Sequence, residues 1–368
     1  MAVSPSWASS LAEEVARIYE AAELRILERI AAVLASGITD PWWERDVLQR
    51  LQTLRPQVLA TLQQANPEAA RAILAALEEA YAVGTLGAFR DVGSQEVPIV
   101  HQAAVEALAA ATVGKVGEGM PRILRAADDV AGQVIQKVLG GTVTGSLLRR
   151  DALQQALNGL ARAGLQGVQV GRGTMGLADY ARMAVRTGTA QAMVEGHTAG
   201  IQSLGLDLCT IQPGPRACNI CDDWAGKVLA ISGPSGTVQV TNEGPTGPKT
   251  LTIRVDGTLA EARSAGWGHP NCRCSVAAFI PGLTLRRTVE DRPKWDETGY
   301  HAQQAQRRLE RGIREAKALE AVAISPEAQR DARRLVKERQ AKMRAHLSRH
   351  PFLKRQSARE QLLRATAA

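Results

Sequence analysis

Apolar positions recur at three- and four-residue steps from the start of the chain. Leu11, Val15, Ile18, Ala22, Ile26, Ile30 and Leu34 form one stripe, with Glu13, Glu14, Arg17, Glu20, Arg25 and Glu28 between them. That spacing predicts a single amphipathic helix over 9–35. Gly37 stops it, and Asp40-Pro41 supplies an N-cap followed by a first-turn proline. The next stripe, Val47, Leu48, Leu51, Leu54, Val58 and Leu62, predicts a second helix kinked at Pro56. Asn66-Pro67 opens a third that runs to about Phe89, so this block is expected to be three antiparallel helices.

From Pro98 to Leu206 the pattern stays helical but is broken by glycine, with elements expected over 101–112, 121–139, 147–163 and 177–203. Texture changes at Thr210. Through Gly282 the chain is rich in Gly, Pro, Thr and Ser, and helical periodicity disappears. Val238–Thr241 and Leu251–Val255 alternate as strands do, joined by a loop from Asn242 to Lys249. Beyond Pro281-Gly282 two charged helical stretches return at about 299–323 and 326–348. The second has few apolar positions and is expected to be solvated or ordered only on a partner. The fold class is therefore mainly α. Its divisions are an N-terminal helical bundle (1–95), a central helical region (96–205), a β-hairpin-containing Cys/His segment (206–283) and a basic helical tail (284–368).

Aromatic residues make up only 4% of the 368 residues, so the core must be packed from small aliphatic side chains, which favours closely spaced Ala-rich helices. Met1–Ser10 shows no signal peptide, and no apolar run reaches the roughly 18–20 residues of a membrane span. A chain kept in the cytoplasm, or in something assembled there, is expected, with no membrane partner. In a reducing compartment its five cysteines point to metal or free thiols rather than disulfides. The net charge of +8 is uneven: residues 284–368 hold 21 Lys/Arg against 11 Asp/Glu, and the remainder 24 against 26. All excess positive charge thus lies in the tail, where Arg330, Arg333, Arg334, Lys337, Arg339, Lys342 and Arg344 could neutralise DNA phosphates without reading bases.

The chemistry-bearing cluster is Cys218-x-x-Cys221 with His269-Pro-Asn-Cys272-Arg-Cys274 about fifty residues on. Zinc takes four such ligands, here either four thiolates or three thiolates and the imidazole, and a closed shell of that kind is structural. Cys209 stands apart and is not read as a ligand. Trp224 and Trp267 bracket the ligand groups and are expected to pack against the metal site.

Other constellations are weaker. Gly171-x-Gly173-x-x-Gly176 matches a dinucleotide fingerprint in letters only, since its flanks are helical, and it is read as a turn between helices. Redox use of C-x-x-C lacks the βαβ context. A zinc deaminase would place proline before C-x-x-C and H-x-E upstream; here Ala217 precedes Cys218, and Glu195-Gly-His197 runs in the reverse order. His197 is read as a polar helix residue, and His346 and His350 as surface residues. No catalytic or organic-cofactor residues are assigned, and the chain is not expected to be an enzyme.

Three stretches resemble the phage minor capsid protein 2 family and the wider Mu F-like head morphogenesis proteins. These are Cys218-Asn-Ile-Cys221-Asp-Asp-Trp224-Ala-Gly226-Lys227-Val228, Gly268–Cys274, and Phe279-Ile280-Pro281-Gly282. Ala181–Thr187 looks like the helix preceding the Cys/His segment in those proteins. Tyr300, Gln303, Gln306, Arg307, Glu310, Arg311, Ile313 and Arg314 look like the helix that follows it. The resemblance implies a minor head protein in the virion, associated with the portal protein and other head proteins, made in the host cytoplasm and acting in head assembly and DNA packaging or delivery. It also implies a DNA neighbour for the basic tail and a ligand position at 274, where some members carry His. The alternative is a zinc-dependent nucleic-acid-binding protein acting outside any virion.

Overall fold

The computed structural model describes residues 8–94, 96, 100–143, 148–163, 166–170, 173–214, 217–244, 247–284 and 296–362. The elements in order are α1 (Ala8–Ala35), α2 (Trp43–Asp91), α3 (Gln102–Gly117), α4 (Met120–Val143), α5 (Arg149–Ala163), β1 (Gln166–Val170), β2 (Gly173–Gly176), α6 (Leu177–Ser203) and β3 (Leu208–Gln212). They continue as α7 (Asn219–Trp224), β4 (Val228–Ala230), β5 (Gly236–Gly244), β6 (Gly247–Val255), β7 (Gly257–Thr258), α8 (Leu259–Ser264), β8 (Ser275–Ala278), α9 (Glu297–Ala321) and α10 (Pro326–Arg349). The fold is mostly helical with small sheets. Contacts gather it into two compact units, each assembled from three separated segments. One is Met1–Ala12, Arg71–Val113 and Met183–Glu297; the other is Glu13–Ala70, Gly114–Arg182 and Thr298–Ala368.

The second unit is helical apart from the β1–β2 hairpin. Val15, Ile26, Ile30 and Leu34 of α1 are fully buried, as the stripe requires. The buried Trp43 indole N–H donates to the Leu34 carbonyl at 3.0 Å and closes the turn between α1 and α2. The expected second and third helices are one, because α2 runs through both Pro56 and Pro67. A proline inside a helix costs about 3 kcal/mol. Leu54, Val58 and Leu62 around Pro56 are buried, at roughly 1.5–3 kcal/mol each, so packing outweighs the break. Gly171 lies outside the described residues, but Gly173–Gly176 is strand β2, paired antiparallel with β1 rather than part of a plain turn between helices. An antiparallel hairpin lacks the parallel βαβ crossover that a dinucleotide site needs.

Arg182 sits in the buried charge network of this unit. Its Nε donates to Glu13 at 2.9 Å, and it pairs with Glu20 and Asp179. Arg314 of α9 reaches Glu20 at 3.7 Å and Asp179 at 3.3 Å. The tail helices α9 and α10 are packed rather than solvated throughout. Ser325 caps α10 with Pro326 in its first turn, and Ala332, Met343 and His346 are buried. Arg339 bonds the Gly312 carbonyl and Glu315, and His346, expected at the surface, donates from Nε2 to the Ala302 carbonyl at 2.9 Å. Buried alanines at 302 and 332 let α9 and α10 pack with few large apolar residues, which is why periodicity alone underestimates this helix.

In the first unit the second half of α2 packs on α6. A stretch of 18 residues within Arg45–Asp91 is apolar enough by length and composition to cross a membrane, although it is not an unbroken apolar run. Ile73, Ala76, Leu77, Ala80, Tyr81 and Ala88 are nonetheless buried within the chain, as in a core helix. A four-stranded sheet in the order β7-β4-β3-β8 lies beyond α6, with β3 antiparallel to β4 and β8. The β5–β6 hairpin forms a separate ribbon with Val238 opposite Ile253 and Val240 opposite Leu251. Pairing continues through Asn242–Lys249 and Gly244–Gly247, so the expected loop is mostly strand.

Candidate metal centre

Two chain reversals bring the predicted ligands together. Cys218 holds the N-cap position of α7 with extended backbone (φ −79°, ψ 166°), and Cys221 lies one turn inside it, buried. Residues three apart at a helix start share a side, so both sulfurs face one point. The second arm turns tightly: Gly266, Gly268 and Asn271 have left-handed φ of 98°, 77° and 65°. The Cys272 amide donates to the His269 carbonyl at 2.9 Å, after which Cys274 leads into β8.

The donors form two overlapping groups that share Cys221: Cys218, Cys221 and His269, and Cys221, Cys272 and Cys274, each within 4.8 Å. His269 Nε2 lies 3.1 Å from Cys218 Sγ and 3.6 Å from Cys221 Sγ, and the Cys221 and Cys272 sulfurs are 3.5 Å apart. Zinc–sulfur bonds of about 2.3 Å at tetrahedral angles set ligand atoms roughly 3.5–3.8 Å apart, which the Cys221–His269 and Cys221–Cys272 separations match, while no four of the donors lie within 4.8 Å of one another. His269 Nδ1 donates to the Pro270 carbonyl at 3.0 Å, which leaves the Nε2 lone pair facing the sulfurs.

The thiols are electrostatically uneven. Burial works to raise the Cys218 thiol, yet the Cys221 N–H and the His269 ring bring it below its ordinary value. A hydrogen bond from Cys221 draws Cys272 down as well. Cys274 Sγ accepts from the Gly214 amide at 3.5 Å. Cys209, as expected, lies outside both groups; it is enclosed in the sheet core, where burial pushes its thiol up to about 12. Trp267 is buried in the cluster that holds Cys221, Cys272 and Cys274, and Trp224 packs against its edge.

Several supporting residues escape sequence reading. A Cβ at Gly214 would overlap the Arg273 carbonyl oxygen, so only glycine lets this loop pass the second arm. Asp91, at the end of α2, accepts from the Ala278 amide at 2.9 Å, and its carboxylate lies 3.1 Å from Nε2 of the buried His197. Burial would raise the Asp91 carboxyl, but the His197 ring and the Ala278 N–H hold it below the usual range. His197 therefore links α6 through Asp91 of α2 to β8, the strand that follows Cys274.

The profile of the phage minor capsid protein 2 family matches residues 3–348. The chain belongs to that family. No curated protein and no solved structure matches it. Membership in the phage minor capsid protein 2 family supports a structural role in a phage head and a place in the virion. The helix residues on which the resemblance rests have structural work: Arg182 lies in the buried ion network and Arg186 is buried near the second ligand arm, while Gln306, Glu310 and Ile313 face the core of α9.

Proposed function

We propose that this minor capsid protein is bound to the portal, acts in head assembly and in DNA packaging or delivery, and holds one structural zinc ion. The match over residues 3–348 carries the head assignment. The donor chemistry supports the metal: soft thiolates with an imidazole select zinc over hard cations, and a shell closed by protein ligands leaves no position for a substrate. The reading assigns no catalytic residue. The ligands are four of Cys218, Cys221, His269, Cys272 and Cys274, with Cys221, common to both donor groups, among them.

The tail supports a DNA neighbour in a restricted way. Arg330, Arg333, Arg334 and Lys342 are paired with Glu327, Glu320, Asp331 and Glu338, which part-neutralises them. Lys337, Arg344 and Arg349 are exposed on α10 and are the residues proposed to meet phosphates. Coexpression with the portal protein of the same phage tests the central part of this reading: the two should copurify through a sizing column. Separate elution at concentrations where the portal assembles would refute portal association.

A further inference from the structure

Asn271 stands between His269 and Cys272, and among the described residues it alone adopts a left-handed backbone without being glycine. Such a conformation persists in a side-chain-bearing residue only where its surroundings hold it. Here α6 supplies the hold. Arg186 Nη1 donates to Asn271 Oδ1 at 2.8 Å, and the Asn271 amide donates to Thr187 Oγ1 at 3.2 Å. The Thr187 hydroxyl spends its own proton on the Met183 carbonyl at 2.8 Å, so its oxygen is oriented to accept. Both α6 residues thus bond the same residue of the ligand arm, and Arg186 is buried there.

We propose that Arg186 and Thr187 are positioning residues for the metal centre, locking Asn271 left-handed so that His269, Cys272 and Cys274 converge on Cys218 and Cys221. The inference rests on the zinc reading. Its geometry is specific: with an extended residue at 271 the chain would not reverse between His269 and Cys272, and imidazole and thiol would diverge. Asparagine suits the position twice, since it tolerates the left-handed region better than most residues and presents an oxygen to the guanidinium.

The test uses the full chain, with zinc affinity read by chelator competition and site geometry by the visible spectrum of the cobalt-substituted protein. Asn271→Ala and Arg186→Gln should each weaken zinc binding by about tenfold or more and alter the cobalt bands. Asn271→Asp keeps both the turn and the acceptor and should bind like wild type. Asn271→Gly keeps the turn alone and should fall between. A merely structural role would lower the melting temperature while leaving affinity and spectrum unchanged. Asn271→Ala and Arg186→Gln proteins within about twofold of wild type, with unchanged cobalt bands, would overturn the proposal. Should Asn271→Ala fail to fold, Arg186→Gln and Asn271→Asp decide by the same criteria. A wild-type chain that takes up neither zinc nor cobalt would remove the metal reading, and this proposal with it.

Discussion

Glu23 on α1 shows how a single residue couples fold to solution conditions. Its carboxylate accepts from the Leu177 and Ala178 amides at the start of α6, at 2.6 and 3.4 Å. Burial, with Asp179 nearby, nonetheless pushes its pKa up to about 8, against the two backbone bonds. Because the folded chain holds this proton where the unfolded chain has lost it, stability should fall as pH rises from about 4.5 towards 8. Glu23→Gln should therefore stabilise the protein above pH 8, by on the order of 2 kcal/mol, and have little effect near pH 4, as read by urea unfolding at both pH values. At the metal centre Cys221 belongs to both donor groups. Cys221→Ser should abolish binding of about one zinc per chain and loosen β3 and β8, whereas Cys209→Ala should leave metal content unchanged; elemental analysis checks both. The five donors are legible in sequence because C-x-x-C and H-x-x-C-x-C are local spacings. Asp91, Gly214 and Asn271 are not, because each matters through a contact with a distant segment.

Among elements, the α2–α6 pair is the most constrained. A Cβ at Gly84 would overlap the Met193 carbonyl, and one at Gly196 the Tyr81 carbonyl. The backbones meet where side chains would stand, which explains both the Ala/Gly richness and the scarcity of aromatics. Gly84→Ala and Gly196→Ala should each destabilise by about 1–3 kcal/mol or more in thermal or urea unfolding, against the small gain that alanine gives an exposed helix. Long helices such as α1 and α9 are readable because their apolar stripes keep the helical period, although polar positions such as Glu13, Glu20 and Glu310 are buried as well. The strands β3 and β4 are not: Leu208–Ile211 and Val228–Ala230 are buried throughout, so they lack the alternation that marks a half-exposed strand. The hairpin β5–β6 keeps that alternation, and its central residues are legible for that reason. Prolines 56 and 67 mislead in the other direction, because they signal local breaks that tertiary burial overrides.

At the scale of the whole molecule, each unit draws on early, middle and late segments, so folding has to bring distant parts of the chain together. Local patterns carry no information about that assembly. Helix α10 is likewise packed on α9, which narrows any DNA contact to its exposed face. Replacing Lys337, Arg344 and Arg349 together with alanine should weaken duplex binding uniformly across sequences and flatten its salt dependence by about 2–3 in log–log slope. Unchanged binding would place the contact elsewhere.

The head role itself is tested most directly by quantitative mass spectrometry of purified heads, stripped of external proteins, from a phage carrying the gene and from a deletion. The account predicts that the protein stays with stripped wild-type heads in fewer copies than the major shell protein. Deletion particles should express other head proteins normally but be defective in assembly, DNA content or infectivity. Fully infectious deletion virions, with a protein that never cosediments with wild-type heads, would contradict it.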